Sequence, residues 1–192
     1  MARAIAARPA HVFAERQHDI GRPPVFGSVL AACDDAMGQD GPWPGPTAPR
    51  SYRTDPPPPV GDRLVLSDEE WRRRLTRDQY GILRAQRTEP SFSCELWQEH
   101  REGRFYCGGC GAPLFSSRHK FESGTGWASF FQPIESGRVS EHRDASHGMV
   151  RTEVRCARCD GHLGHVFDDG PAPTGLRYCI NGSILEFVPG TA

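Results

Sequence analysis

Cys156-Ala157-Arg158-Cys159-Asp160-Gly161-His162-Leu163-Gly164-His165-Val166-Phe167-Asp168-Asp169-Gly170-Pro171 is the stretch from which the rest of the chain is read. It opens with a Cys-x-x-Cys-Asp-Gly turn, a shape in which two thiolates face one metal from a tight knuckle. The same spacing occurs upstream in Cys107-Gly108-Gly109-Cys110-Gly111. Glycine in and after such turns lets backbone N–H groups turn toward the sulfurs. Together the knuckles supply four thiolates, Cys107, Cys110, Cys156 and Cys159, a donor set suited to one tetrahedral zinc ion. About 45 residues separate them, more than in a short zinc ribbon, so a small domain is expected in between. A zinc ion with four thiolate ligands is structural and contributes on the order of 10–16 kcal/mol of apparent binding energy to folding. Hydrolytic zinc chemistry is disfavoured, because no position is left for a metal-bound water. A redox-active Cys-x-x-Cys is the competing use of one such pair; two glycine-bearing copies argue against it.

The chain has 192 residues, enough for one well-buried domain. Twenty-three basic and 24 acidic side chains leave a formal net charge of −1, so no electrostatic footprint points to nucleic acid or an anionic membrane. No run approaches the roughly 18 apolar residues of a spanning helix. Seven cysteines, four of them in paired knuckles, point to metal ahead of disulfides and to a reducing compartment, the cytoplasm. Residues 1–62 hold eleven of the 17 prolines and bury too little to offset ordering entropy. They are expected to be a disordered Pro-rich extension ending in a polyproline II spacer, with the folded domain over residues 63–190. Within the extension, Val29-Leu30-Ala31-Ala32-Cys33 resembles the cleavage box of a bacterial lipoprotein. Its apolar stretch is short and carries Pro23 and Pro24, so export as a lipoprotein is the lesser alternative.

Order is expected from Leu66. Ser67 followed by Glu70 makes a capping box, with Leu66 and Trp71 at the hydrophobic-staple positions. Thr76 and Gln79 repeat the box, with Leu75 and Tyr80 as its staple. Helices over 68–74 and 77–86 follow, presenting Trp71, Leu75, Tyr80 and Leu83 as an apolar stripe. From Arg104 onward, short apolar segments are divided by Gly, Pro, Asn and Asp. Arg104-Phe105-Tyr106, Pro113-Leu114-Phe115, Phe130-Phe131, Met149-Val150, His165-Val166-Phe167, Arg177 to Asn181 and Ile184 to Val188 mark a small, mainly β, antiparallel domain. Between two of them, the loop from Phe121 to Phe131 places Thr125 between two glycines and leads into an aromatic cluster.

Cys179 lies outside the metal set. On a strand it shares a face with Arg177 and Asn181, two residues away on either side. It is either a buried, inert core cysteine or a thiolate nucleophile, which needs a base or positive charge and partial exposure. His162, His165 and Arg177 meet that need if the Asp169-Gly170-Pro171 turn folds the segment back on itself.

Five runs carry a resemblance: Arg87-Thr88-Glu89-Pro90-Ser91-Phe92, Lys120-Phe121-Glu122-Ser123-Gly124-Thr125-Gly126-Trp127, Gly148-Met149-Val150-Arg151, His162-Leu163-Gly164-His165-Val166-Phe167 and Arg177-Tyr178-Cys179-Ile180-Asn181. In this order, with both knuckles among them, they resemble the B-type peptide methionine-R-sulfoxide reductases from about Leu66 to Val188. The resemblance implies two small antiparallel sheets leaning together, a distal structural zinc and short N-terminal helices. It implies that the Cys179 thiolate attacks the sulfoxide sulfur and leaves as a sulfenic acid. His165, with His162 beside it, would protonate the departing oxygen, and Asn181 would orient the histidine or a bound water. Trp127, with Phe131 and Arg177, would contact the substrate, Trp127 giving an apolar wall for its methyl group. Bare core packing is the competing role of Trp127, and a satisfied structural histidine that of His162. The partners implied are oxidised proteins or peptides and thioredoxin or a similar reductant, with the enzyme a monomer.

Two departures from the family pattern stand out. Ala128 replaces the proline of Gly-Trp-Pro-Ser-Phe. Thr125 replaces the resolving cysteine of many members, so this chain uses an external reductant directly or another thiol. Cys94 is the candidate, because some members resolve from this upstream region; a Cys94–Cys179 disulfide is the expected intermediate. The rival class is a non-catalytic zinc-stapled binding module, which needs no thiol between Arg177 and Asn181.

Overall fold

The computed structural model describes residues 43–46 and 51–191. Two short helices lead, α1 (Asp68–Arg74) and α2 (Arg77–Leu83), each opened by the expected capping box: Ser67 with Glu70, and Thr76 with Gln79. In each box the N-cap hydroxyl accepts from the third helical N–H, and that residue's side chain accepts from the N-cap N–H. These caps matter because seven-residue helices are marginal on propensity alone. The second helix stops three residues short of the expected 86. Gln86 takes a left-handed φ of 55°, and the Arg87 amide turns back to the Gly81 carbonyl at 3.0 Å. Trp71, Leu75, Ile82 and Leu83 are buried, and Tyr80 is half-buried.

Nine strands follow: β1 (Gly103–Cys107), β2 (Pro113–Ser116), β3 (Lys120–Phe121), β4 (Ala128–Phe130), β5 (Val139–Asp144), β6 (Arg151–Cys156), β7 (His162–Phe167), β8 (Arg177–Ile180) and β9 (Leu185–Pro189). They form two antiparallel sheets, β2-β1-β9 and β3-β4-β8-β7-β6-β5. The mainly β, two-sheet architecture matches the reading from sequence. Three phenylalanines join the sheets. Phe105 of β1 and Phe115 of β2 both pack on Phe130 of β4, with ring centroids at 5.0 and 4.3 Å. All three are fully buried, each contributing about 1.5–3 kcal/mol by burial alone. Ala128, the departure from the family proline, is buried at the start of β4 opposite Ile180.

Two strands differ from expectation. β5 is mostly polar and half to fully exposed, so no alternation marks it. Met149 and Val150 precede β6 and are exposed at 54% and 67%.

The Val29–Cys33 box lies outside the described residues. Further along, the Trp43 indole donates to the Leu75 carbonyl at 3.1 Å and the Tyr52 hydroxyl to Arg74 at 2.6 Å. The Pro58 carbonyl accepts from Arg138 at 2.7 Å. None of the described helices is long and apolar enough to cross a membrane.

Candidate metal centre and active site

Both knuckles are built the same way. In the first, the Cys107 amide bonds the Ala112 carbonyl at 2.8 Å, and the Gly111 amide bonds the Cys107 carbonyl at 2.8 Å. In the second, Cys156 bonds Gly161 at 2.9 Å and Asp160 bonds Cys156 at 2.9 Å. The residue after each second cysteine is left-handed, Gly111 at φ 76° and Asp160 at φ 57°. At position 111 a side chain would also strike the Tyr52 carbonyl, 2.1 Å from an added Cβ. At position 160 aspartate tolerates the conformation. Arginines fasten the knuckles: Arg74 and Arg84 of the helical segment donate to the Gly109 carbonyl at 2.8 Å and the Cys159 carbonyl at 3.0 Å, and Arg158 of the second knuckle donates to the Cys110 carbonyl of the first at 2.6 Å.

The four cysteine sulfurs are buried and lie within 4.8 Å of one another. Cys107 and Cys159 are 3.8 Å apart, and Cys110 and Cys156 are 3.6 Å apart. Tetrahedral coordination at the usual zinc–sulfur distance places sulfurs about 3.8 Å apart. The chemistry of the donor set fits a cation as well. Hydrogen bonds from Cys107 and its neighbours push Cys110 far toward the thiolate, while those same contacts push Cys107 well above the usual thiol range. One thiolate thus suppresses another, a conflict that a bound dication removes. The cluster could hold a metal ion.

Cys179 sits at the second candidate site. It is half-buried on β8, directly opposite Ser129 of β4 and His165 of β7. A cavity of about 130 Å³ opens on it, lined by Trp127, His165, Phe167 and Asn181, with Thr88 and Arg151 at its border with a polar space. Burial pushes the Cys179 thiol up; the Arg177 guanidinium and the Thr125 hydroxyl act in the opposite direction. Arg177 is held by a two-pronged pair with Asp169, both contacts at 2.7 Å, and lies 4.4 Å over the Phe167 ring.

The two histidines are set differently. His165 Nε2 lies 2.8 Å from Asp144 Oδ2, an oxygen that also accepts from Arg151 at 2.8 Å. The Ser146 hydroxyl and amide, then His165, hold the Asp144 carboxyl well below the usual range. This fixes the ring and leaves Nδ1 with no hydrogen bond among the described residues. His162 is 3% exposed and its Nδ1 lies 2.7 Å from Glu153 Oε1. Burial holds His162 below its ordinary value despite that carboxylate, and its Nε2 is buried with no hydrogen-bond partner among the described residues. The rings meet edge-on at 5.5 Å.

Asn181 is 2% exposed and does not touch either histidine through a hydrogen bond; its amide donates to Leu163 at 2.8 Å and accepts from the Glu89 amide at 2.9 Å. Glu89 is the residue sequence reasoning missed. Its carbonyl accepts from the Trp127 indole at 3.1 Å, and its carboxylate accepts from Gly182 at 2.6 Å and Ser183 at 2.9 Å. One buried residue thus holds Trp127, Asn181 and the turn after Cys179. Asp144, Arg151 and Phe167 were missed too. Glu89, Arg151 and Phe167 lie inside the motif runs, the one signal that pointed to them.

Phe131 does not line the Cys179 cavity; it packs on His119 at 5.1 Å, and Phe167 takes the aromatic place there. Cys94 carries a free, half-buried thiol, as does Cys179. Its sulfur packs over Gly182, 2.6 Å from where a Cβ would stand. Burial pushes that thiol up, and Glu89 and Glu95 add to the effect.

Comparison with known proteins agrees with this arrangement. The SelR domain family matches residues 75–189. A peptide methionine sulfoxide reductase MsrB of Bradyrhizobium diazoefficiens is 56% identical over 128 residues, 67% of this chain and 92% of that protein. Its namesake in Agrobacterium fabrum is 56% identical over 127 residues, covering 66% of this chain and 94% of the relative. The one in Thiobacillus denitrificans is 56% identical over 123 residues, 64% and 93%. A half-buried thiol faced by a carboxylate-held histidine, together with a four-cysteine cluster and a match of this extent, places the chain in the SelR family of MsrB peptide methionine sulfoxide reductases.

Proposed function

We propose that this chain is a peptide-methionine (R)-S-oxide reductase with Cys179 as its nucleophile. The observation that carries the reading is the Cys179–His165 pair, opposite one another on β8 and β7 at the mouth of a cavity of about 130 Å³. That volume is far below the 300 Å³ or more of a typical ligand pocket and suits a single thioether side chain. Trp127 and Phe167 supply apolar walls for the methyl group. His165 and Arg151 supply the polar side for the oxygen, so the two substituents of a chiral sulfoxide go to different subsites.

The Cys179 thiolate attacks the sulfoxide sulfur and forms a sulfur–sulfur bond as the oxygen takes a proton from His165 Nδ1. The sulfur–oxygen and sulfur–sulfur bonds then break as the hydroxyl passes to Cys179, leaving a sulfenic acid on Cys179 and releasing methionine. Two electrons move from the thiol to the substrate sulfur. Asp144 steadies the His165 imidazolium through Nε2, as the orienting carboxylate does in other acid–base pairs. His162, held by Glu153, packs against the His165 ring, and Asn181 with Glu89 fixes the wall formed by Trp127.

Recycling completes the cycle. The Cys179 sulfenic acid condenses with the Cys94 thiol, releasing water, and thioredoxin or a similar dithiol reduces the resulting disulfide. Cys94 rests over Gly182, in the turn after Cys179, and the disulfide requires the two Cα atoms to come within about 7 Å. The four-thiolate cluster would hold one structural zinc ion, which supplies folding energy and takes no part in the reduction. The catalytic domain spans residues 63–190 and acts as a monomer in the cytoplasm, where thiols stay reduced. The test is reduction of both sulfoxide epimers with thioredoxin as reductant: the R-epimer turns over and the S-epimer is nearly inert. Equal turnover of both, or of neither, would refute this reading.

A further inference from the structure

Residues 52–64 precede the region matched by the SelR family, which begins at residue 75, yet they touch both cysteine knuckles. At the first knuckle the Tyr52 carbonyl leaves no room for a Cβ on Gly111. The Tyr52 hydroxyl donates to the Arg74 carbonyl at 2.6 Å, and the Arg74 guanidinium lies 3.7 Å over the Tyr52 ring. That same guanidinium donates to the Gly109 carbonyl at 2.8 Å. At the second knuckle the Leu64 amide donates to the Arg158 carbonyl and the Arg63 guanidinium to the Ala157 carbonyl, both at 2.8 Å. The Asp62 carboxylate pairs with the Arg158 guanidinium at 2.7 Å. Arg158 in turn donates across to the Cys110 carbonyl at 2.6 Å, a direct tie between the knuckles.

The two ends follow one plan. A carbonyl of the first knuckle is held by an arginine at each end, and each arginine is held by this segment, Arg74 by Tyr52 and Arg158 by Asp62. Pro56-Pro57-Pro58-Pro59 links the ends. Pro58 is buried, and its carbonyl accepts from Arg138 at 2.7 Å. Four successive prolines have little backbone freedom to lose, so laying this link down costs little entropy. The cluster opens only if the knuckles part, a local unfolding whose cost rises with every contact that spans them.

We propose that residues 52–64 are a strap that keeps the four-cysteine cluster closed, acting through Arg74 and Arg158, and so slows loss of the metal it would hold. The last part rests on the zinc reading of the cluster, and the test separates the two. Full-length protein is treated with N-ethylmaleimide in the presence of EDTA, and modification of each cysteine is followed by mass spectrometry. Tyr52→Ala combined with Asp62→Ala should modify the four cluster cysteines about tenfold faster than wild type, as expected for losing two hydrogen bonds, one of them charge-assisted. Asp62→Ala alone should give a smaller increase of the same kind. Cys94 and Cys179 should keep their wild-type rates, which marks the opening as local to the cluster. Cluster rates unchanged in the double variant, or an acceleration that Cys94 and Cys179 share equally, overturns the proposal. Zinc in the purified protein is counted separately. A metal-free wild type that shows the same pattern of rates would count against the zinc reading and leave the strap standing.

Discussion

Cys179 and His165 face each other directly across the β7–β8 ladder, while His165 is bonded from behind by Asp144 at 2.8 Å. Strand pairing thus brings together the proposed nucleophile and the ring proposed as its proton donor, and Asp144 holds that ring. A one-residue slip of β8 would turn Cys179 to the opposite face of the sheet, so the register is part of the chemistry.

The first prediction follows from that line. His165→Ala should lower kcat for the R-sulfoxide by roughly 10²–10⁴-fold, the range for losing a positioned proton donor. Alkylation of Cys179 should still proceed, since the thiol survives. Steady-state kinetics settle the matter, and an unimpaired variant would transfer the role to His162 or to water.

The second concerns the cluster. Cys107→Ser leaves three thiolates where the knuckles supply four, one too few for the closed site proposed for zinc. The variant should lose both bound zinc and cooperative unfolding, because metal affinity and folding are one equilibrium at such a site. Metal analysis and urea denaturation report on the two; a folded variant with one full equivalent of zinc would contradict the role given to the site.

Much of this was legible before any coordinates. Two Cys-x-x-Cys knuckles, two capping boxes and the segment around Cys179 are local patterns, and local patterns survive in sequence. What was not legible depends on strand pairing. Asp144 reaches His165 only because β5 pairs with β6 and β6 with β7, and β5 itself is too polar and exposed to show a strand period. Glu89 meets Asn181 across 92 positions, a distance at which spacing carries no information. The sequence reading named Phe131 as an aromatic contact of the substrate; the fold puts Phe167 in the cavity.

The third prediction is a pH dependence. Burial depresses the His162 value below its ordinary 6.5, so the folded state resists a proton that the unfolded chain accepts. The stability this confers is fully present above about pH 6.5, falls as the pH drops below it and is lost on reaching the folded value. Glu153, whose burial is outweighed by Arg155 and His162, is also depressed, and its share is lost lower, below about pH 4.5. Urea unfolding at pH 7.5 and pH 5.5 should therefore show a larger acid loss for wild type than for His162→Gln. Equal losses would mean that His162 titrates alike in both states.

The central claim, that Cys179 takes the oxygen from a methionine-R-sulfoxide, is tested most directly by a single turnover without reductant. One equivalent of R-sulfoxide is added to reduced protein, methionine is quantified and the oxidised cysteines are mapped by mass spectrometry. The account predicts one methionine per chain, a Cys94–Cys179 disulfide in wild type, and a Cys179 sulfenic acid in Cys94→Ser. Methionine formed in the same yield by Cys179→Ser would contradict it.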